Sequence, residues 1–469
     1  MFTALARGRF RGCFFLGCLL VSSAVFSHAT TYLVGPNQAL PKISDVPWER
    51  LEAGDEVRIH WQAEPYHEKW VICGEGQPES PIRVSGIPNA AGQLPVIDGR
   101  DAVCRPELDF WNEDRGIIKI GGTSHAPGVT PGHIVIENLV VRGARPPNEF
   151  LGKTGTVPYR PDAAGIYVES GEGITLRNCV LEDSGNGLFA NGKDVLVEYC
   201  SIRENGMESR FTEHNSYTAA AGITFQFNEF GPLRQGCLGN NLKDRSAGLV
   251  VRYNVLIGGS RQLDLVDAED QNGKLVSATG YRETFVYGNI LVERARDVGN
   301  EIVHYGGDSG NDDWYRKGTL FFFHNTVASF RPDVTTLLRL SSNAESARVF
   351  NNVFWSGDPR GRLALSSGVG RFELQNNWIS RGWVKTSRWL FLGSLVADGN
   401  LVGTEPGFVA PGALDFRLSA GSAARSSTVL DSTVESEEHR YRFTRGTAQN
   451  WRPLDATDSR VIGAVQGLP

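Results

Sequence analysis

Nine short segments of the chain share one pattern: an alternating apolar strand, usually an asparagine, then a second short apolar strand. They read HIVIENLVVRG, GITLRNCVLEDS, DVLVEYCSIREN, GITFQFNEFGP, GLVVRYNVLIGG, TFVYGNILVERA, LFFFHNTVASF, ARVFNNVFWSG and RFELQNNWIS. The asparagines fall at Asn138, Asn178, Asn228, Asn254, Asn289, Asn325, Asn352 and Asn377, with Tyr199 taking the place in one copy. Neighbouring copies are mostly 21 to 36 residues apart, a period that belongs to solenoids and propellers. One copy cannot bury its apolar face alone, so the copies must stack.

Alternation with period two argues for strands. A third strand precedes each segment, in GIYVES, GLFANG, HNSYTA, NNLKDRS, QLDLVDAE and EIVHYGG. A propeller blade would need four strands in ~40 residues. Three short strands per copy predict an all-β, right-handed parallel β-helix, with rungs ~4.8 Å apart. The recurring asparagine fits a sharp bend, where its amide can bond to the coils above and below.

Composition agrees. There are 54 glycines and 2 methionines in 469 residues, a profile of turns and short strands. A net charge of −6 argues against nucleic acid as a partner. Arg7, Arg9 and Arg11, then CFFLGCLLVSSAVF and SHAT, read as a secretory signal cleaved after Ala29. The expectation is a periplasmic or secreted monomer, free of the membrane once cleaved. Of the remaining cysteines, Cys73 and Cys104 could pair, and Cys179 and Cys200 should be buried. The chain divides into a signal at 1–29, an N-terminal cap with first coils at 30–130, a β-helix core at 131–400, and a closing coil with surface tail at 401–469.

The lead-in VGPNQAL, AGDEVRIH, PIRVSGIP and LPVIDG, with HNSY, NNLKDRS, LDLVD, HYGGD, FFFHNTV and PGFVAPGALDFRLSAGSAA, resembles secreted bacterial β-helix proteins of the pectate-lyase-like superfamily. More narrowly, it resembles a polysaccharide-degrading group. The resemblance implies the fold strongly. Its chemistry is less defined, because such helices host lyases, hydrolases, epimerases and binding proteins.

Alternation also sorts the side chains. In NNLKDRS, Leu242 points inward, so Asn241, Lys243 and Arg245 are expected outward together. In RQLDLVD, Asp264 faces out beside them, and Asp244 must face inward or lie at a bend. His214 and Tyr217 come from the preceding rung, where their spacing needs a bulge or bend to share a face. Tyr167, His304 and Tyr305 join the same strip as expected substrate contacts, with Asn241 and Asp264. His324 should be a buried, bonded histidine.

Such a strip suits β-elimination from a uronate polymer. A cation neutralises the C6 carboxylate, a base takes the C5 proton, and an acid serves the leaving oxygen. In the resembling lyases a Lys and an Arg on this sheet work beside Ca²⁺. By that resemblance Lys243 is the base candidate and Arg245 the acid or carboxylate binder. His214 and Tyr217 are alternatives for base and acid. Asp264, Asp267 and Glu269 could hold Ca²⁺, although Asp267, Glu269 and Asp270 also read as a solvated acidic turn. Lys243 and Arg245 could equally form a plain ion cluster with Asp264. The alternatives are a glycoside hydrolase using Asp264 with Asp267 or Glu269, a C5 epimerase, and a non-catalytic glycan-binding protein.

Overall fold

The computed structural model describes residues 29–425, 428–429, 434, 440–443, 451–455 and 460–466. The signal reading, Ala29 apart, lies outside the described residues. The chain winds as a right-handed parallel β-helix. A 13-stranded sheet runs from Thr31–Val34 to Ser394–Val396. One 11-stranded sheet runs from Trp70–Ile72 to Val384–Thr386, the other from Val96–Asp98 to Leu401–Gly403. All pairing within these three sheets is parallel, as strand–turn–strand winding in one sense requires.

The core is a set of columns. Ile134, Ile174, Val195, Ile223 and Leu249 stack in register, as do Ile136, Leu176, Val197, Phe225 and Val251. All are buried. Their outward neighbours are solvated or covered, which is the alternation seen in the sequence.

The asparagine ladder forms, shifted by one residue in the early coils. Asn228, Asn254, Asn289, Asn325, Asn352, Asn377 and Asn400 form it. Each after Asn228 receives two bonds on its Oδ1 from the preceding asparagine, one from the backbone N–H and one from the amide, at 2.8–3.2 Å. Asn138, Asn178 and Tyr199 instead occupy the preceding position, which turns through positive φ of 61°, 50° and 55°. Asparagine serves at either place, since it tolerates the left-handed region and also bridges coils. Cys179 and Cys200 take the ladder position there, and the Cys200 N–H donates to Asn228 Oδ1 at 2.9 Å.

All five cysteines from Cys73 onward are free and buried, so the Cys73–Cys104 pairing is not made. The described parts of the tail pack on one side of the solenoid. Phe416, Phe443, Trp451 and Ile462 cover Tyr253, Tyr287, Phe323 and Trp355. That leaves the sheet bearing Lys243 uncovered by it. Among the described residues, no helix is long and apolar enough to cross a membrane.

Candidate active site

The sheet that begins at Trp70 builds the site. Pairing register puts Val71, Lys119, Tyr167, Phe189, Tyr217, Lys243, Asp264, His304 and Arg339 in one row, one residue per rung. Their neighbours Ile118, Ile166, Leu188, Leu242, Leu263 and Val303 are fully buried, so the row faces outward. A cleft of 720 Å³ opens above its middle.

The floor of the cleft is aromatic. Phe189 and Tyr217 stack at 5.0 Å, and His214 lies at 5.6 Å over Tyr217. His214 reaches this place because it precedes the strand Ser216–Thr218, at the bend. Arg115 rests on Phe189, with its guanidinium 4.7 Å from the ring centre. Arg160, Asp162 and Arg210 form the rim, and the buried Glu213 pairs with Arg210 at 2.9 Å.

At the other end stand Lys243 and Arg245. Lys243 Nζ donates to Asp264 Oδ2 at 2.9 Å and to Asp308 Oδ2 at 2.5 Å. Arg245 Nη1 meets Asp308 Oδ1 and Asp267 Oδ1, each at 2.9 Å, and Nη2 meets Glu269 at 2.8 Å. Asp308 thus spans the two cations with one oxygen on each. Burial pushes its carboxyl up, but Lys243 and Arg245 outweigh that and hold it below the ordinary value.

Tyr217 couples the two ends. Its hydroxyl accepts from Arg245 Nε at 2.9 Å and donates to Asp270 Oδ1 at 2.8 Å. Burial keeps the phenol protonated by raising its pKa, against the pull of Arg245. His214 Nδ1 accepts the Asn240 backbone N–H at 2.9 Å, so the ring proton sits on Nε2. Burial, then Lys243, push its pKa down to about 3. The ring is a neutral hydrogen-bond donor, and the base role considered for it does not fit.

The structure brings Lys243, Arg245, His214, Tyr217 and Glu269 to the cleft, and removes other expected contacts from it. Asn241 is fully buried in a second ladder, accepting from Asn215 Nδ2 at 2.7 Å and donating to the Gly258 carbonyl at 2.6 Å. Tyr305 points inward, in register with Leu265 and Leu340. Tyr167 faces outward but lies beneath Arg115 and Phe189. Asp264 and His304 form a layer behind Lys243. His304 Nδ1 meets Asp264 Oδ1 at 2.8 Å, Nε2 meets Ser341 Oγ at 2.9 Å, and Asn240 Nδ2 donates to Asp264 Oδ2 at 2.9 Å. Burial raises the Asp264 pKa, but Lys243 and His304 draw it well below the ordinary value.

These bonds bear on the metal and hydrolase expectations. Asp264, Asp267 and Glu269 spend their oxygens on Lys243, His304 and Arg245. Among the described residues, no three His, Cys, Asp or Glu side chains are arranged to hold a metal ion. The donor set does not fit Ca²⁺. Asp264 and Asp267 are buried and doubly paired, so they do not make a hydrolytic carboxylate pair either.

Phe189, Asp308 and the arginines at 115, 160 and 210 were not anticipated. Alternation around Leu188 in GLFANG would have exposed Phe189. The others come from loops of separate coils and carry no periodic signal.

No family model matches the chain, and no curated protein matches it. Among solved structures it is similar to pectate lyase Pel9A, at 12% identity over 90% of this chain and 95% of that one, with a TM-score of 0.47. It is similar to an alginate lyase from Paenibacillus sp. str. FPU-7, at 11% identity over 69% and 94%, TM-score 0.42. It is also similar to GH136 lacto-N-biosidase from Eubacterium ramulus, at 11% identity over 80% and 68%, TM-score 0.46.

Proposed function

We propose that the chain is an exported polysaccharide lyase that cleaves a uronate-containing polymer by β-elimination. The observation that supports this most is the Lys243–Arg245 fork. It already holds one carboxylate, that of Asp308, with an oxygen on each cation. A uronate carboxylate entering the cleft would take that place. Neutralised there, it makes the C5 proton easier to remove. Export is supported by the basic, apolar and small-residue order of the N-terminus.

The same geometry suggests who moves the proton. Lys243 donates to two carboxylates, so acting as a base would break both bonds. Tyr217 takes the C5 proton on its oxygen while its own proton passes to Asp270. The C5–H pair becomes the C4=C5 bond and the C4–O bond breaks. The proton then returns through Tyr217 to the departing oxygen, which leaves the site as it began. His214 offers its Nε2–H as a fixed donor to the sugar.

The hydrolase reading remains as a second one, because Asp162, Glu213, Glu269, Asp270 and Asp308 all line the cleft. The deciding experiment digests a panel of acidic polysaccharides and follows ultraviolet absorbance and reducing ends together. Both rising in step are expected. Reducing ends without absorbance would establish hydrolysis instead, and binding without either product would leave a glycan-binding protein.

A further inference from the structure

A second cleft, of 450 Å³, lies beside the first. One side is the turn around Trp111. The other is Lys153, Thr154 and Val157, on and beside the two strands Glu149–Gly152 and Gly155–Pro158. Trp111 is 49% exposed, yet it is held firmly. The Gly122 backbone lies so close beneath the ring that a Cβ there would come within 2.3 Å of it. Lys119 Nζ donates to the Trp111 carbonyl at 2.7 Å and stands 5.4 Å from the ring centre. A fixed aromatic in a concave site can stack on the apolar C–H face of a pyranose with little ordering cost.

The two clefts are separate but adjacent. The short turn Glu113–Arg115 walls both, with Arg115 facing the main cleft and Glu113 the outer one. Lys119 also belongs to the outward row, four strand steps from Lys243 or ~19 Å. The charge differs, however. Asp109, Glu113 and Asp114 line the outer cleft with Lys153, which is paired to Asp109 at 2.5 Å, and the Lys119 ammonium near Trp111 is taken by Glu169 at 2.8 Å. A sugar carboxylate would be repelled there.

We propose that the Trp111 cleft is an outer subsite of the same glycan groove, and that it takes a neutral or amino sugar. The uronate of the same chain sits four rungs away at Lys243 and Arg245. The substrate class is therefore an acidic heteropolysaccharide and not a homopolymer of uronates. The inference rests on the glycan reading of the main cleft.

Native gels cast with gellan, hyaluronan, alginate or polygalacturonate, run with the full chain, test it. Gellan or hyaluronan, in which uronates alternate with neutral or amino sugars, should retard the wild type most. Trp111→Ala should weaken that retardation roughly tenfold with an unchanged unfolding midpoint, and Trp111→Phe should keep part of it. Equal retardation of Trp111→Ala and wild type overturns the subsite. Retardation by the homopolymers alone overturns the sugar assignment. A wild type retarded by no polymer overturns the glycan reading itself.

Discussion

Arg316 Nη2 stands 3.0 Å from Asp244 Oδ1, with both side chains at 0% exposure inside the solenoid. Asp244 occupies an inward column, beside Leu265 on the next rung. Thr218 Oγ1 donates to its other oxygen at 2.6 Å and the Ser246 N–H to Oδ1 at 2.9 Å. Arg316 also donates to the Ser246 carbonyl at 2.8 Å. This anchored inward carboxylate leaves Lys243 and Arg245, on either side of it in sequence, to face the cleft. Removing one partner leaves a buried charge alone, at a cost of ~3–5 kcal/mol. Asp244→Asn and Arg316→Met should each lose about that much in urea unfolding, and the double variant less than the sum. A loss below ~1 kcal/mol in both would refute the account.

Much of this was legible, and the failures have physical reasons. Leu242 inward and Lys243 outward followed from alternation, and so did the contact of Lys243 with Asp264 one rung away. The same rule separates His304 from Tyr305, since adjacent residues of one strand cannot share a face; expecting both in the site disregarded it. Asn241 looked like a strand residue but sits at the bend, where a ladder takes its amide. Asp308 follows Gly306 and Gly307 on a loop, and only the third dimension brings it to Lys243.

The two asparagine positions differ in what they contribute to stability. Asn325 Oδ1 accepts from the Asn289 N–H at 3.0 Å, and its amide donates to the Val286 carbonyl at 2.9 Å. Asn325→Ala leaves both buried groups without that partner and should cost about 2–4 kcal/mol. Asn178 is exposed, turns the chain through positive φ, and makes one solvent-exposed bond from its amide to Asn138 Oδ1 at 2.7 Å, so Asn178→Ala should cost about 1–2 kcal/mol. Equal losses on chemical denaturation would contradict the distinction between the two positions.

Acid should destabilise the protein well above the carboxylate range. The folded state holds His214 neutral down to about 3 and His324 down to about 4, against an ordinary 6.5. Their stabilising share is complete above 6.5. It is lost as pH falls toward the folded values, because only the unfolded rings take protons. Each contributes a slope of roughly 1.4 kcal/mol per pH unit within its window. His214→Asn keeps an acceptor for the Asn240 N–H and should remove one of the two slopes between pH 6 and 4.5. An unchanged pH profile of unfolding free energy would refute the buried neutral assignment.

Asp308 competes for the fork that the substrate carboxylate would use. Asp308→Ala should lower KM for a uronate oligomer by about tenfold, while kcat changes little. A raised KM would make Asp308 a sugar contact in its own right.

Tyr217→Phe isolates the proton transfer. The phenylalanine ring keeps the stacking on Phe189 and His214, so the floor that receives the sugar stays in place. What is lost is the oxygen between Arg245 and Asp270. kcat should fall by about 10²–10⁴-fold while KM stays nearly constant, the signature of a group that acts only during the reaction. Arg245 loses one partner but keeps Asp267, Glu269 and Asp308, so the fork should hold its shape. A variant that retained most of the kcat would move the proton transfer away from Tyr217 and toward the carboxylates of the rim.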